Sequence, residues 1–320
     1  MKILLTGKSG FLGGHLLTKL HEKKYDIVSV VRSRNLSDDN SILIPSINGD
    51  TNYSTTMLNC ECVIHCAARV HVMNDSVINQ LEKYRETNAR GTINLARQAA
   101  IAGVKRFVYL SSIKVNGEST ELNSPYTAAD EHSPVDGYGL SKSEAENALI
   151  AVGKETGMDI VIIRPTLVYG PGVKANFASL LNLVSKGIPL PFGCINDNYR
   201  SLVSVTNLVD LIITCIEHPK AANQTFLVSD DHDVSTSEMV LEMAKALGKP
   251  QWQIPVPKWC YQLVGKLFSK SGVVNRLTGS LQVDINHTKE TLNWTPPQSL
   301  DDGFKETAQA FLQSKQNQNL

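Results

Sequence analysis

The sequence predicts an α/β fold, a doubly wound parallel sheet followed by a smaller C-terminal α/β lobe, on three observations. Short β-rich apolar runs alternate with amphipathic segments through the first half, a glycine-spaced turn joins the first such pair, and the rhythm loosens after Arg164-Pro165. Lys2 to Thr6, Asp26 to Val31, Ile42 to Ile44, Cys62 to Ala67, Arg106 to Ser111 and Asp159 to Arg164 read as strands. Most are apolar throughout, as strands covered on both faces must be. Phe11 to Lys23 and Val77 to Ala102 read as helices. In the second, Ile78, Leu81, Gly91, Leu95 and Ala99 fall near helical spacing and Gly103 marks the stop.

Past residue 164, Pro165, Pro171, Pro189 and Pro191 mark loops, so a second lobe begins there. Ser235-x-x-Glu238 is a capping box ahead of a helix reaching about Leu247. Asp301 to Leu312 reads as a closing helix, and Gln313 to Leu320 as a polar, frayed tail. The expected division puts residues 1–164 and about 201–225 in the larger lobe and residues 165–200 and 226–320 in the smaller one. No repeat or low-complexity linker separates them, which places a cleft between packed lobes.

With 320 residues, 42% hydrophobic and 19% charged, the chain has the composition of an ordinary globular protein. Its 31 cationic and 31 anionic residues leave no global field to attract nucleic acid or a membrane, and neither is an expected partner. No apolar run approaches the roughly 18 residues of a membrane span, and the start lacks a secretory core, so the expected location is cytoplasmic with reduced cysteines. Strand alternation across Cys60-Glu61-Cys62-Val63-Ile64-His65-Cys66 sends His65 and Cys66 to opposite faces, so no metal is expected.

Gly7-x-x-Gly10-x-x-Gly13, with Phe11 and Leu12 inside it, follows the first strand and opens the first helix. Glycine permits the unusual φ and the close backbone approach that a pyrophosphate needs, and the helix start offers unpaired N–H donors. In this position the turn predicts a Rossmann-type dinucleotide site. A phosphate-binding P-loop would need its first glycine where Lys2 stands. The second strand ends Val31-Arg32-Ser33-Arg34 with no carboxylate for a ribose. Arg32 and Arg34 suit a 2′-phosphate, which favours NADP(H) over NAD(H), unless both are simply solvated.

Tyr138-Gly139-Leu140-Ser141-Lys142 places a phenol and an ammonium four residues apart, on one face if the run is helical. A nearby cation favours the phenolate, which suggests proton transfer; a solvated helix face is the plain alternative.

Together with Asn88, Ser111-Ser112, Gly49-Asp50, His65-Cys66-Ala67-Ala68, Arg164-Pro165-x-x-Val168-Tyr169-Gly170 and Leu292-Asn293-Trp294-Thr295-Pro296, these motifs give an ordered pattern over nearly the whole chain. The chain thereby resembles the extended short-chain dehydrogenase/reductases, specifically the NAD-dependent epimerase/dehydratase family of nucleotide-sugar enzymes. The resemblance implies that Tyr138 is the acid/base, that Lys142 holds the nicotinamide ribose and lowers the tyrosine pKa, and that Ser112 hydrogen-bonds the reacting oxygen. Ser111 is the alternative to Ser112. It further implies that Asp50 contacts adenine, that Ala67 and Ala68 line the cofactor channel, and that Asn88 backs the catalytic residues, unless Asn88 is purely structural. Asn176, Arg200 and Arg276 match positions contacting the nucleotide diphosphate in relatives, and Lys114 would lie near the sugar or phosphates. A homodimer is a further expectation from the family.

Ile113-Lys114 stands where dehydratases of the family carry an acidic pair, which argues against dehydration. Asn116 stands where epimerases often have tyrosine, and the stretch around Ser112 is similar to bacterial surface-polysaccharide enzymes that reduce UDP-4-keto-6-deoxy-N-acetylhexosamine to N-acetylquinovosamine. The leading expectation is therefore NAD(P)-dependent reduction at C4 of a UDP-linked hexose for O-antigen synthesis. The alternatives are a UDP-hexose or UDP-N-acetylhexosamine 4-epimerase with tightly held NAD, and a non-catalytic NADP-binding sensor.

Overall fold

The computed structural model describes residues 1–33, 40–70, 77–269 and 271–318. In chain order its strands are β1 (Lys2–Thr6), β2 (Asp26–Val31), β3 (Ser41–Leu43), β4 (Cys62–His65), β5 (Arg106–Leu110), β6 (Asp159–Pro165), β7 (Leu167–Tyr169), β8 (Arg200–Ser204), β9 (Gln224–Val228) and β10 (Asp233–Val234). The helices are α1 (Phe11–Glu22), α2 (Val77–Tyr84), α3 (Gly91–Ile101), α4 (Gly137–Thr156), α5 (Ala175–Val184), α6 (Val205–Glu217), α7 (Thr236–Ala246), α8 (Lys258–Leu267), α9 (Ser271–Thr278), α10 (Asn286–Leu292) and α11 (Leu300–Gln318).

Among the described residues, seven strands form one sheet in the order β3-β2-β1-β4-β5-β6-β9, with every neighbouring pair parallel. This is the doubly wound Rossmann-like arrangement that the alternating runs predict. Strand alternation divides the core: Ile3 and Leu5 join Leu16, Leu20, Leu208 and Ile212 under α1 and α6, whereas Leu4 joins Leu95, Ala99, Ala145 and Leu149 under α3 and α4. A three-stranded sheet, β10-β8-β7, carries a third core that includes Tyr169, Phe177, Met243 and Phe304.

Strand order reverses between β1 and β4, which opens a crevice at the carboxyl ends of those two strands. The catalytic candidates gather at this end of the sheet, because β5 runs directly into Ser111-Ser112.

Besides one-residue shifts at the ends of α1, β3, β5 and β6, three elements differ from the sequence expectation. β4 stops at His65, whose ring is held by Thr6 Oγ1 at 2.6 Å and Thr92 Oγ1 at 2.9 Å. The expected single helix from Val77 to Ala102 is interrupted by a π-helical turn over Arg85–Arg90, which carries the buried Asn88. Such turns widen the backbone ladder by one residue and are frequent at functional sites. Finally, the closing helix runs through Gln318 rather than fraying after Leu312: Lys315 donates to Ser185 Oγ at 3.1 Å and stacks its ammonium 4.7 Å from the Phe311 ring centroid. The capping box at Ser235 forms as expected, with Glu238 N donating to Ser235 Oγ at 3.0 Å.

Candidate active site

The glycine turn sits in the crevice where strand order reverses. Gly7 has φ +82°, and a Cβ there would lie 2.6 Å from Ala67 N; a Cβ on Gly13 would lie 2.0 Å from Gly7 O. Only glycine fits either place, so β1, the following loop and α1 are drawn against the end of β4. α1 has no side-chain cap at Gly10 and no acidic residue in its first turn, which leaves its N–H groups and positive dipole end for an anion. A cradle that a Cβ would fill, at an uncapped helix start, fits a dinucleotide pyrophosphate. Phe11 and Leu12 form the first turn of that helix, and Ala67 and Ala68 follow β4 on the opposite side.

Asp50 is exposed on the loop between β3 and β4, where Gly49 N donates to Glu86 Oε1 at 3.1 Å. Arg32 is exposed just past β2, and Arg34 lies outside the described residues.

Ser112, Tyr138 and Lys142 come together from two elements. Ser112 leaves β5 in extended geometry and caps the 3₁₀ turn Ile113–Val115, while Tyr138 lies in the first turn of α4 and Lys142 one turn further on. Asp136 fixes where α4 starts by accepting from Gly139 N at 2.7 Å. Gly139 lets that start approach closely, because a Cβ would meet Lys114 O at 2.7 Å. The Ser112 hydroxyl lies near enough to the Tyr138 phenol to favour its ionised form, and the Tyr138 ring meets that of Tyr84 edge-on at 6.1 Å. Ser111 points elsewhere: its hydroxyl donates to the buried Glu146 carboxylate. Of the two serines, Ser112 is the one whose hydroxyl acts on the phenol.

The electrostatics depart from the sequence expectation at Tyr138. Burial, reinforced by the Asp136 charge, holds the phenol well above its ordinary value, with the Ser112 hydroxyl pulling the other way. Lys142 does not offset this. It is 2% exposed, donates from Nζ to Leu110 O at 2.7 Å and lies 4.5 Å from the Tyr109 ring centroid. Burial lowers its pKa to about 8, against the opposing influence of Cys66 and Glu146.

Two buried networks hold this cluster. Asn88 Oδ1 accepts from Arg69 N at 2.7 Å, and its Nδ2 donates to Arg69 O and Ser141 Oγ, both at 3.0 Å. Ser141 Oγ in turn donates to Tyr138 O at 2.8 Å, so Asn88 ties the loop after β4 to the first turn of α4. Below it, Arg164 grips Glu146 through Nε at 3.1 Å and a terminal nitrogen at 2.6 Å, and also donates to Asn116 Oδ1 at 2.9 Å and His132 Nε2 at 2.6 Å. Sequence inspection assigned no site role to Glu146 or His132. The readable signal was Glu146 four residues after Lys142 on the face of α4 that faces the sheet.

The substrate-side candidates are partly assembled. Arg200 donates to Arg276 O at 2.8 Å and Gly279 O at 3.1 Å, so the two arginines are neighbours. Asn176 stands exposed in the first turn of α5. Lys114 pairs with both Glu118 and Asp136, which places its ammonium beside the start of α4. Bridges Thr120–Ser280 and Tyr126–Val283 stitch the loop after Ser112 to the segment that follows Arg276.

A parallel sheet with its glycine turn at the strand-order reversal, and a Ser-Tyr-Lys cluster at the same end, defines a dinucleotide-dependent enzyme of the Rossmann class. Residues 3–229 match the NAD dependent epimerase/dehydratase family, and the chain belongs to that family. It is 62% identical over 314 residues to a UDP-glucose 4-epimerase from Vibrio cholerae, covering 98% of this chain and 96% of that one. Its fold is similar to the crystal structure of a UDP-glucose 4-epimerase with UDP-glucose from Thermotoga maritima, with TM-score 0.76, 22% identity and coverage of 98% and 100%. It is equally similar to MoeE5 in complex with UDP-glucose and NAD, with TM-score 0.77, 22% identity and the same coverage.

These relatives do not support the two finer expectations, reduction and an NADP preference. Asn116, taken in the sequence as a mark against epimerases, is fully buried and hydrogen-bonded to Arg164 and Thr127 O, so its identity reports loop packing rather than the reaction.

Proposed function

We propose that the protein is a UDP-hexose 4-epimerase that interconverts UDP-glucose and UDP-galactose with a retained NAD. The observation that carries this is the convergence of Ser112, at the end of β5, and Tyr138, in the first turn of α4, in a chain 62% identical to a UDP-glucose 4-epimerase. Inversion at C4 needs a group that removes the hydroxyl proton and returns it, and a paired phenol and hydroxyl serve both directions. Tyr138 is the acid/base, Ser112 orients the sugar oxygen, and Lys142 brings its charge to the ribose side of the cleft.

The turn from Gly7 to Gly13, with Phe11 and Leu12, would hold the pyrophosphate, Asp50 the adenine end, and Ala67, Ala68 and Asn88 the nicotinamide side; the bound nicotinamide supplies the hydride acceptor and donor at C4. Arg200, Arg276 and Asn176 would take the UDP diphosphate, because guanidinium pairs with two phosphate oxygens at once. The paired state of Lys114 fits a role in fixing α4 better than direct contact with the sugar.

Residues 205–228 go with the dinucleotide lobe in this reading, since α6 packs beneath the main sheet and β9 extends it. A cytoplasmic homodimer completes it.

The test is to incubate the purified protein with UDP-glucose and no added cofactor. UDP-galactose should form, and mass spectrometry should detect NAD released on denaturation. A requirement for added NADPH, with turnover confined to UDP-4-keto sugars, would establish the reductase instead.

A further inference from the structure

Large exposed apolar side chains gather on α8, in the helical hairpin of α8 and α9 whose second helix carries Arg276, and on the segment leading to it. Trp252 is 68% exposed, Trp259 61%, Leu263 58%, Leu267 79% and Phe268 65%. Trp259, Leu263 and Leu267 are spaced four residues apart, so they form one stripe along α8. The opposite side of the hairpin is anchored: Tyr261 and Leu277 pack on the core of the small lobe, and Gly265 lets α9 approach so closely that a Cβ would lie 2.7 Å from Val274 Cγ2. The stripe is thus held outward by packing behind it.

Charge selects the partner. Between Glu242 and Asp284 the sequence contains no carboxylate, although the whole chain is balanced at 31 against 31. The described cations in that stretch are Lys245, Lys249, Lys258, Lys266 and Arg276. Lys245 is answered by Glu242 and Asp301, and Lys258 by Asp197. Lys266 is exposed on α8 between Leu263 and Leu267 in sequence, at the border of the stripe. Tryptophan and leucine on one face, bordered by lysine with no acid, is the composition of a helix that lies in a lipid headgroup layer. Protein interfaces, by contrast, are depleted in lysine.

We propose that the α8–α9 hairpin is a membrane-surface docking face, taking an anionic phospholipid bilayer with α8 parallel to its plane. Among the described residues no helix is long and apolar enough to cross a membrane, so the contact is peripheral. It departs from the expectation of no membrane partner, which rested on total charge, because a balanced total conceals a local segment of one sign. The proposal does not depend on which sugar reaction the protein performs.

The full-length protein reports on this directly, since Trp259 is on the face, Trp252 is exposed on the segment ahead of it, and the third tryptophan, Trp294, is buried with Nε1 donating to Asp210. On mixing with vesicles of phosphatidylcholine and phosphatidylglycerol, the tryptophan emission should shift to the blue and the protein should sediment with the lipid. Pure phosphatidylcholine should bind far less, and added salt should release the protein. The double variant Trp259→Ser/Leu263→Ser should lose about tenfold or more in vesicle affinity while keeping its circular dichroism and its turnover in solution. Leu267→Ser, at the most exposed position, is the second variant if the double one misfolds. No binding to anionic vesicles, equal binding by a folded variant, or an oligomer that the substitutions dissociate would each overturn the proposal, the last by making the face a contact between copies.

Discussion

Lys142 Nζ donates to the Leu110 carbonyl oxygen at 2.7 Å, which fastens α4 to the end of β5 two residues before Ser112. The bond registers α4, with Tyr138 in its first turn, against the strand that leads to Ser112. It also puts an ammonium where water is scarce, and burial lowers the pKa to about 8 from its ordinary 10.5. Between those values the unfolded chain holds the extra proton, so folding becomes more favourable as pH rises. The stability of the protein relative to Lys142→Met should therefore climb from about pH 8 toward about pH 10.5 in urea unfolding. A difference that stays flat over that interval would contradict a burial-depressed lysine.

Tyr138→Phe removes a single oxygen from a half-buried ring. Its edge-on contact with Tyr84 survives, so affinity for UDP-glucose should be nearly unchanged. Turnover should fall about 100-fold or more, as for loss of an acid/base group. Steady-state interconversion assays separate the two: a rise in KM at constant kcat would give Tyr138 a binding role only.

Glu146 and Arg164 are 0% and 3% exposed. Removing one member leaves the other charge buried without its partner, which costs about 3–5 kcal/mol. Glu146→Leu and Arg164→Met should each lose stability on that scale in denaturant titrations, and the double variant should recover a large part of it. Simple additivity would mean that the pair is energetically uncoupled.

Gly7→Ala forces a Cβ to within 2.6 Å of Ala67 N at φ +82°. Relief requires the end of β4 to move, and that end forms one wall of the crevice proposed to hold the cofactor. Calorimetry of NAD binding should show an affinity loss of about tenfold or more, with a strain cost of about 1–3 kcal/mol in stability. Unaltered affinity would remove the turn from the cofactor site.

The sequence was most legible where a local rule operates without competition. β1 and β2 fall at their expected bounds because buried parallel strands are continuous apolar runs, and the Ser235 capping box forms because its partners are three residues apart. Reading failed where a distant residue decides. The π-helical turn at Arg85–Arg90 answers to Arg69 and Ser141, neither of which is near it in sequence. Lys142 was expected to depress Tyr138 because spacing puts both on one helix face; spacing does not reveal that the Leu110 carbonyl and the Tyr109 ring engage the ammonium first. Asn116 misled for the same reason, since its partner Arg164 enters from β6.

The main sheet is completed late. β9, at Gln224 to Val228, pairs with β6, at Val161 to Pro165, after the chain has left to build β7, α5, β8 and α6. During synthesis β6 is therefore an open edge, with unpaired backbone groups along an apolar strand, until residues beyond 220 emerge from the ribosome. A premature stop between α6 and β9 would leave a nearly finished sheet with a self-associating border, so such fragments belong to the aggregation and degradation burden of the cell rather than to its pool of smaller working enzymes.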